Sequence, residues 1–246
     1  CKIYSGYSWN DQIIVIDNRF VSERVNQIRH WNMNFVQGDI LDKELIYKYC
    51  HDADIVHHLA GITDVPRVKS ESNQEHDLKI KKVAEEGTQN ILDSISNTCK
   101  IIMPSSHVVY EGIEKVKNDI GENEETSPVL SYGKSKDFNE KQLKSSGKNY
   151  IILRLGSVYG YSTDTARIDI MANFFSKMAS QDGTLRLFAG GKQVKSLVPL
   201  IDVARCFKFM EERKDLSSDT FNLTKDTVTV KAVSYTHLTL PTKRIV

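Results

Sequence analysis

Long apolar runs are missing from this sequence. Nowhere in its 246 residues is a stretch apolar and long enough to cross a bilayer, and no signal-peptide pattern is present. Charge of one sign is missing too. Lys and Arg total 33 against 32 Asp and Glu, a net charge of +1, so no electrostatic case exists for nucleic acid or an anionic membrane as partner. Cysteine is sparse. Cys1, Cys50, Cys99 and Cys206 lack both metal-ligand and disulfide-framework spacing, and read as reduced thiols of a cytoplasmic protein without a metal. Glycine is thin where a phosphate-binding loop would need it, with only Ser5-Gly6 near the start.

What is present is ordinary for a folded α/β protein: 40% hydrophobic and 26% charged residues, in a length that suits one large domain or a domain with a smaller lobe. Short β-branched runs alternate with helical periodicity. Gln12-Ile13-Ile14-Val15-Ile16 reads as a buried parallel strand, Asn34-Phe35-Val36-Gln37 begins a second, and Asp54-Ile55-Val56-His57-His58 a third. Ile80, Val83, Ala84, Gly87, Ile91 and Ile95 recur at helical spacing, and Lys100-Ile101-Ile102-Met103 and Tyr150-Ile151-Ile152-Leu153 are further strands. Residues 111–127 are polar and acidic, a surface loop. This alternation predicts a doubly wound parallel sheet. Beyond Gly156 the pattern loosens, with a helix near 169–179, a segment from 185 to 200, and a helix led by Asp202 that carries Phe207 and Met210.

The chemistry-bearing residues fall at strand ends and on one helix. Tyr132 and Lys136 in Ser-Tyr-Gly-Lys-Ser-Lys are four apart and share a helical face. A phenol has an ordinary pKa of about 10, and a nearby ammonium favours the phenolate, so the pair can move a proton on or off a hydroxyl. Taken alone it is equally an exposed turn with a solvated lysine. Asp17 ends the first strand, where a carboxylate either accepts from ribose hydroxyls or simply closes a turn. Asp39 either caps the next helix, over 43–49, or faces an adenine amino group. Leu59, Ala60 and Gly61 end a strand in small residues that permit close approach of a ligand. His57 and His58, adjacent on a strand, point to opposite sides and read as core histidines rather than a metal pair. Ser106 follows a strand's C-terminal end without a Gly-x-Ser-x-Gly context. It is a hydrogen-bonding or loop serine, not a hydrolase nucleophile.

In order, Val-x-Asp-Asn at 15–18, Gly-Asp-Ile at 38–40, His-Leu-Ala-Gly at 58–61, Gly-Thr-x-Asn at 87–90, Ser-Ser-x-x-x-Tyr at 105–110, Ser-Tyr-Gly-Lys-Ser-Lys with Glu140, Arg154 with Val158-Tyr159-Gly160, and Asp202-Val203-Ala204 resemble the extended short-chain dehydrogenase/reductases. The nearest resemblance is to NAD-dependent epimerase/dehydratases of nucleotide sugars. The resemblance implies a Rossmann domain with a small C-terminal substrate lobe, NAD as cofactor, a nucleotide-diphosphate sugar as substrate and a homodimer formed through the Tyr132 helix and the long helix before it. It implies Tyr132 as acid/base, with Lys136 lowering its pKa and holding the nicotinamide ribose, and Ser106 bonded to the reacting hydroxyl. Asp17 and Asn18 would hold the adenosine ribose, Asp39 and Ile40 would flank adenine, and Leu59, Ala60 and Gly61 would line the cofactor. Ser157 and Lys195 would stand at the positions that bind the substrate diphosphate.

Several positions depart from the family. His107-Val108 replace the Asp-Glu pair of the dehydratases, which disfavours elimination; Ala84, Thr63, Ser157 and Lys195 stand where an Asn, a Lys, an Asn and an Arg are usual. Epimerisation, of the 4-epimerase type that the resemblance implies, is therefore the expected reaction, with a sugar reductase, dehydrogenase or dehydratase as the alternative and a non-catalytic NAD-binding fragment as a third reading. The expected organisation is a Rossmann domain over 1–155 lacking its first strand and Gly-rich loop, and a partial substrate lobe over 156–232. The tail, 233–246, resembles translated sequencing-adapter sequence. A cofactor pyrophosphate without that loop has no helix N-terminus to rest on, so weak NAD binding is expected of the chain as it stands.

Overall fold

The computed structural model describes residues 12–63, 73–114, 117, 119–162 and 167–238. Cys1, Ser5-Gly6 and the end of the tail, 239–246, lie outside the described residues. The chain divides into two compact units, one formed by 1–153 with 208–221 and the other by 154–207 with 222–246.

In the first unit, β1 (Ile14–Asp17) and β2 (Asn34–Gln37) pair in parallel, Ile14 opposite Asn34 and Asp17 opposite Gln37. They are joined by α1 (Ser22–His30), a helix with only Val25 buried. So polar a stretch carries almost no apolar period, and its helical state was not legible in the sequence. Then come α2 (Lys43–Cys50), β3 (Ile55–His57), α3 (Gln74–Ser94), β4 (Lys100–Ser106), α4 (Ser131–Ser145), β5 (Asn149–Leu155) and, after the second unit, β8 (Asp219–Leu223). The strand order is β3-β4-β5-β8, with β3 and β4 parallel in the register Ile55 to Lys100 and His57 to Ile102. A doubly wound parallel α/β sheet is thus the architecture.

Hydrophobic burial places the core between this sheet and the helices. β4 is buried on both faces except at Pro104, as a central parallel strand should be. Ile101, Met103 and Ile152 from the strands meet Ile46 and Cys50 from α2, Ile91 and Leu92 from α3, and Leu143 from α4. Each such side chain contributes about 1.5–3 kcal/mol on leaving water. Cys50, Cys99 and Cys206 are unpaired thiols, and burial pushes Cys99 up to about 11. Lys100, buried, donates to the carbonyls of Met210 at 3.2 Å and Arg213 at 2.5 Å. It thereby satisfies carbonyls at the end of a helix that would otherwise go unpaired.

In the second unit, β6 (Ser157–Tyr159) pairs in parallel with β7 (Val194–Pro199), and β7 pairs antiparallel with β9 (Asp226–Thr229). α5 (Met171–Ser180) and α7 (Val230–Leu238) cover a core of Phe175, Leu197 and Val233. Val233, expected from sequence to stand outside the fold, is thus a core residue of this unit. α6 (Leu200–Glu212) leads out of it. Among the described residues, no helix is long and apolar enough to cross a membrane.

Candidate active site

Tyr132 and Lys136 lie one turn apart at the start of α4, and Ser106 is the last residue of β4. Close packing brings these elements together. Gly133 abuts the turn that follows β4, where a Cβ would lie 3.2 Å from the Val108 carbonyl. A side chain there would require Pro128 or the turn at Val108 to give by a few tenths of an ångström. The Lys136 Nζ donates to the Pro104 carbonyl at 2.9 Å and lies 5.8 Å from the centroid of the Tyr132 ring. Lys136 is half-buried as a residue, yet desolvation lowers its ammonium to about 8, an effect opposed by the charge of Glu140. Ser106 is buried, and its Oγ accepts a long bond, 3.4 Å, from the Val108 N–H at the start of a 3-10 turn over His107–Tyr110. So weak a bond leaves the hydroxyl capacity for a further partner.

Behind this pair lies a buried polar layer. Glu140, 1% exposed, accepts from the Ser105 hydroxyl at 2.6 Å and from Lys144 at 3.4 Å. His58, 4% exposed, shares a 2.8 Å hydrogen bond between Nε2 and the Thr88 hydroxyl, which also accepts from Asn139 at 2.9 Å. Burial, with the charge of Lys136, lowers His58 to about 3, so it is neutral at ordinary pH. The reading of His58 as a hydrogen-bonded core histidine matches this geometry. His57 points elsewhere, toward Glu211 at 3.4 Å. Among the described residues no group of His, Cys, Asp or Glu is placed to hold a metal ion.

The other strand tips form a row of acceptors. Asp17 ends β1 exposed, one carboxylate oxygen accepting from the Arg19 N–H at 2.8 Å. Asp39, just after β2, accepts from the Leu41 N–H at 2.9 Å and from the Asn18 amide at 3.1 Å, which ties the two tips together. Those two bonds, the Leu41 one foremost, hold its carboxyl below the usual range. Asp39 is not the helix cap that one reading of the sequence allowed. The cap of α2 is Asp42, whose side chain accepts from the Leu45 N–H at 3.0 Å, because Asp39 stands one turn too early. Ile40 is clamped by α3: a Cβ on Gly87 would meet its Cγ2 at 2.8 Å, and the Asn90 amide donates to its carbonyl at 3.0 Å. The strand expected over 54–61 stops at His57, where the Leu59 N–H turns back to the His57 carbonyl at 2.9 Å. Leu59, Ala60 and Gly61 therefore sit exposed beyond the strand, with open space around Gly61. Ser157 opens β6 and Lys195 lies exposed on β7, both in the second unit.

The Asp17, Asp39, Ala60-Gly61, Ser106 and Tyr132/Lys136 positions all lie at C-terminal strand ends or on the helix that follows, where open α/β sheets bind ligands. The sequence matches the NAD dependent epimerase/dehydratase family over residues 7–224. The chain belongs to that family. A probable low-salt glycan biosynthesis reductase of Haloferax volcanii is 27% identical over 154 residues, 62% of this chain. The match spans about half of that relative, 49% of its length. Among solved structures, UDP-glucose 4-epimerase from Thermotoga maritima superposes with a TM-score of 0.75 at 22% identity, over 93% of this chain and 74% of that one. A point mutant of UDP-glucuronic acid 4-epimerase from Bacillus cereus gives 0.75 at 21%, over 94% and 74%. A dTDP-glucose 4,6-dehydratase from Streptomyces venezuelae gives 0.75 at 19%, over 94% and 72%. These likenesses establish the fold.

Two features of the family member escaped sequence reasoning. Ser105, the first of the serine pair, turns away from Ser106 to bond Glu140. Thr88 and Asn139 build the buried chain that ends on His58. The spacing Tyr132, Lys136, Glu140, Lys144, each four positions after the last, is the signal that a charged ladder runs along one face of α4.

Proposed function

We propose that this chain is a nucleotide-sugar 4-epimerase working with NAD, in which Tyr132 and Lys136 carry the proton and Ser106 aligns the reacting C4 hydroxyl. The observation that carries this reading is the Lys136 ammonium held by the Pro104 carbonyl 5.8 Å from the Tyr132 ring, at the C-terminal end of β4.

The described residues fit NAD. Acceptor-only carboxylates at two neighbouring parallel strand tips suit ribose hydroxyls at Asp17, next to Asn18, and an adenine amino group at Asp39, with Ile40 against the ring. The exposed Leu59-Ala60-Gly61 turn allows the cofactor to lie close to the backbone. Lys136 has two further N–H donors for the nicotinamide ribose after its bond to Pro104. NAD supplies the acceptance and return of hydride. The protein's own part is proton movement: Tyr132 as phenolate takes the sugar hydroxyl proton, the Lys136 charge stabilises that phenolate, and the Ser106 hydroxyl bonds the same oxygen. Tyr132 returns the proton once the keto sugar has presented its other face. Ser157 and Lys195 would hold the substrate diphosphate. A lysine there keeps the charge but lacks the bidentate fork of arginine.

A second reading, net sugar reduction, is favoured by the reductase name of the Haloferax volcanii relative. Elimination is disfavoured by His107-Val108. A homodimer through the outer faces of α3 and α4, where Phe138 is 40% exposed, and a cytoplasmic location belong to the same proposal. Turnover of UDP-, GDP- and dTDP-hexoses at saturating NAD tests it. Tyr132→Phe and Lys136→Met are expected to lower kcat by about 10²–10⁴-fold. Wild-type rates in Tyr132→Phe would overturn the assignment.

A further inference from the structure

Glu140 is the most buried carboxylate among the described residues and has no part in the proton transfer just described. It is one turn beyond Lys136 on the same face of α4. Burying a carboxylate is costly unless it is paired and hydrogen-bonded. Here the Ser105 hydroxyl, from the end of β4, donates to one oxygen at 2.6 Å, and Lys144, the next turn along, reaches the other at 3.4 Å. Lys144 is itself 41% exposed on its side chain, so its charge is partly screened by water and leaves much of the Glu140 field acting inward. Ser105 and Pro104 are neighbours on β4, so the strand that receives the Lys136 ammonium on the Pro104 carbonyl also fixes Glu140 through Ser105.

We propose that Glu140 is a positioning residue that sets the charge and placement of Lys136. This rests on the reading of Tyr132 and Lys136 as the proton-transfer pair. Among the described residues, Glu140 on α4 acts on the Lys136 charge, the Tyr132 ring lies 5.8 Å from its Nζ, and His58, from beyond β3, is neutral. Desolvation pushes the ammonium toward its neutral form, His58 adds no charge of its own, and Glu140 supplies the opposing negative field. An uncharged Lys136 would no longer stabilise a Tyr132 phenolate, so the carboxylate keeps the pair competent as pH rises toward 8. Glu140, bonded to Ser105, and Lys136, bonded to the adjacent Pro104, both tie this face of α4 to the end of β4.

The test is a titration of Lys136 in the full chain carrying [13Cε]lysine, with its resonance identified by its loss in Lys136→Met. Glu140→Gln keeps the shape and can still accept from Ser105, but removes the charge. The Lys136 midpoint is expected to fall by about one unit, and the alkaline limb of kcat/KM to move down with it. Lys144→Gln removes the competing cation from an exposed position and is expected to move the midpoint upward. An unchanged midpoint in Glu140→Gln overturns the inference, as does an unchanged midpoint in Lys144→Gln should Glu140→Gln fail to fold. The titration needs no turnover. A chain whose Lys136→Met variant works normally refutes the proton-transfer reading, whereas an inactive Lys136→Met with an unmoved Glu140→Gln midpoint refutes only the role of Glu140.

Discussion

At the scale of the residue, the site depends on which buried groups are charged. His58 must remain neutral, since a second cation beside Lys136 would repel it in a dry environment. The cost of charging it appears in stability. Its folded pKa of about 3 lies below the ordinary 6.5, so the unfolded chain binds more protons between those values and stability falls as pH drops through that window. Denaturant unfolding at pH 7 and pH 5 is expected to show His58 alone contributing a loss of about 2 kcal/mol. His58→Gln should flatten the slope; an equally steep slope in the variant would mean that other groups carry it. Tyr132, Lys136, Ser106, Asp17 and Asp39 were legible as candidates because each is a chemically distinctive side chain at a strand end or helix start. The partners of the buried layer were not, because Thr88 reaches His58, and Asn139 reaches Thr88, only after three separate elements have packed.

At the scale of the element, α3 is the fixture of the turn that follows β2. Gly87 lets it approach Ile40, and Asn90 bonds the Ile40 carbonyl. This gives a physical reason for the Gly-Thr-x-Asn motif: glycine for approach, threonine toward His58 and asparagine toward β2. Gly87→Ala weighs two effects of opposite sign. Helix propensity favours alanine by about 1 kcal/mol, while forcing a methyl to 2.8 Å from Ile40 Cγ2 costs about 1–3 kcal/mol by overpacking. A net loss of stability is expected in urea unfolding, because Ile40 is held by α3 and by the neighbouring Asp39–Leu41 turn and has little room to move. A net gain would mean that the helix slides aside freely. Elements with strong period or β-branching, α3 and β4 above all, could be read from sequence. α1 could not, because a helix that buries one valine leaves no stripe, and β3 was overextended because its apolar run continues into the turn at Leu59.

At the scale of the whole molecule, family membership and architecture agree with the alternation of strand and helix, whereas the division into units follows the spatial return of the chain. Residues 208–221 rejoin the first unit after the excursion of 154–207, a crossing that no local pattern announces. The second unit holds Ser157 and Lys195 on paired strands β6 and β7, so the substrate assignment rests on residues the local pattern rendered least clearly. The central claim is hydride removal and return at one sugar carbon, with Tyr132 and Lys136 moving the proton. The most direct measurement follows UDP-, GDP- and dTDP-hexoses bearing deuterium at C4 by NMR, at saturating NAD. The account predicts inversion at C4 with deuterium retained in both epimers and no net NADH. Deuterium accumulating in NADH, or a C4 centre left unchanged in every sugar nucleotide, would contradict it.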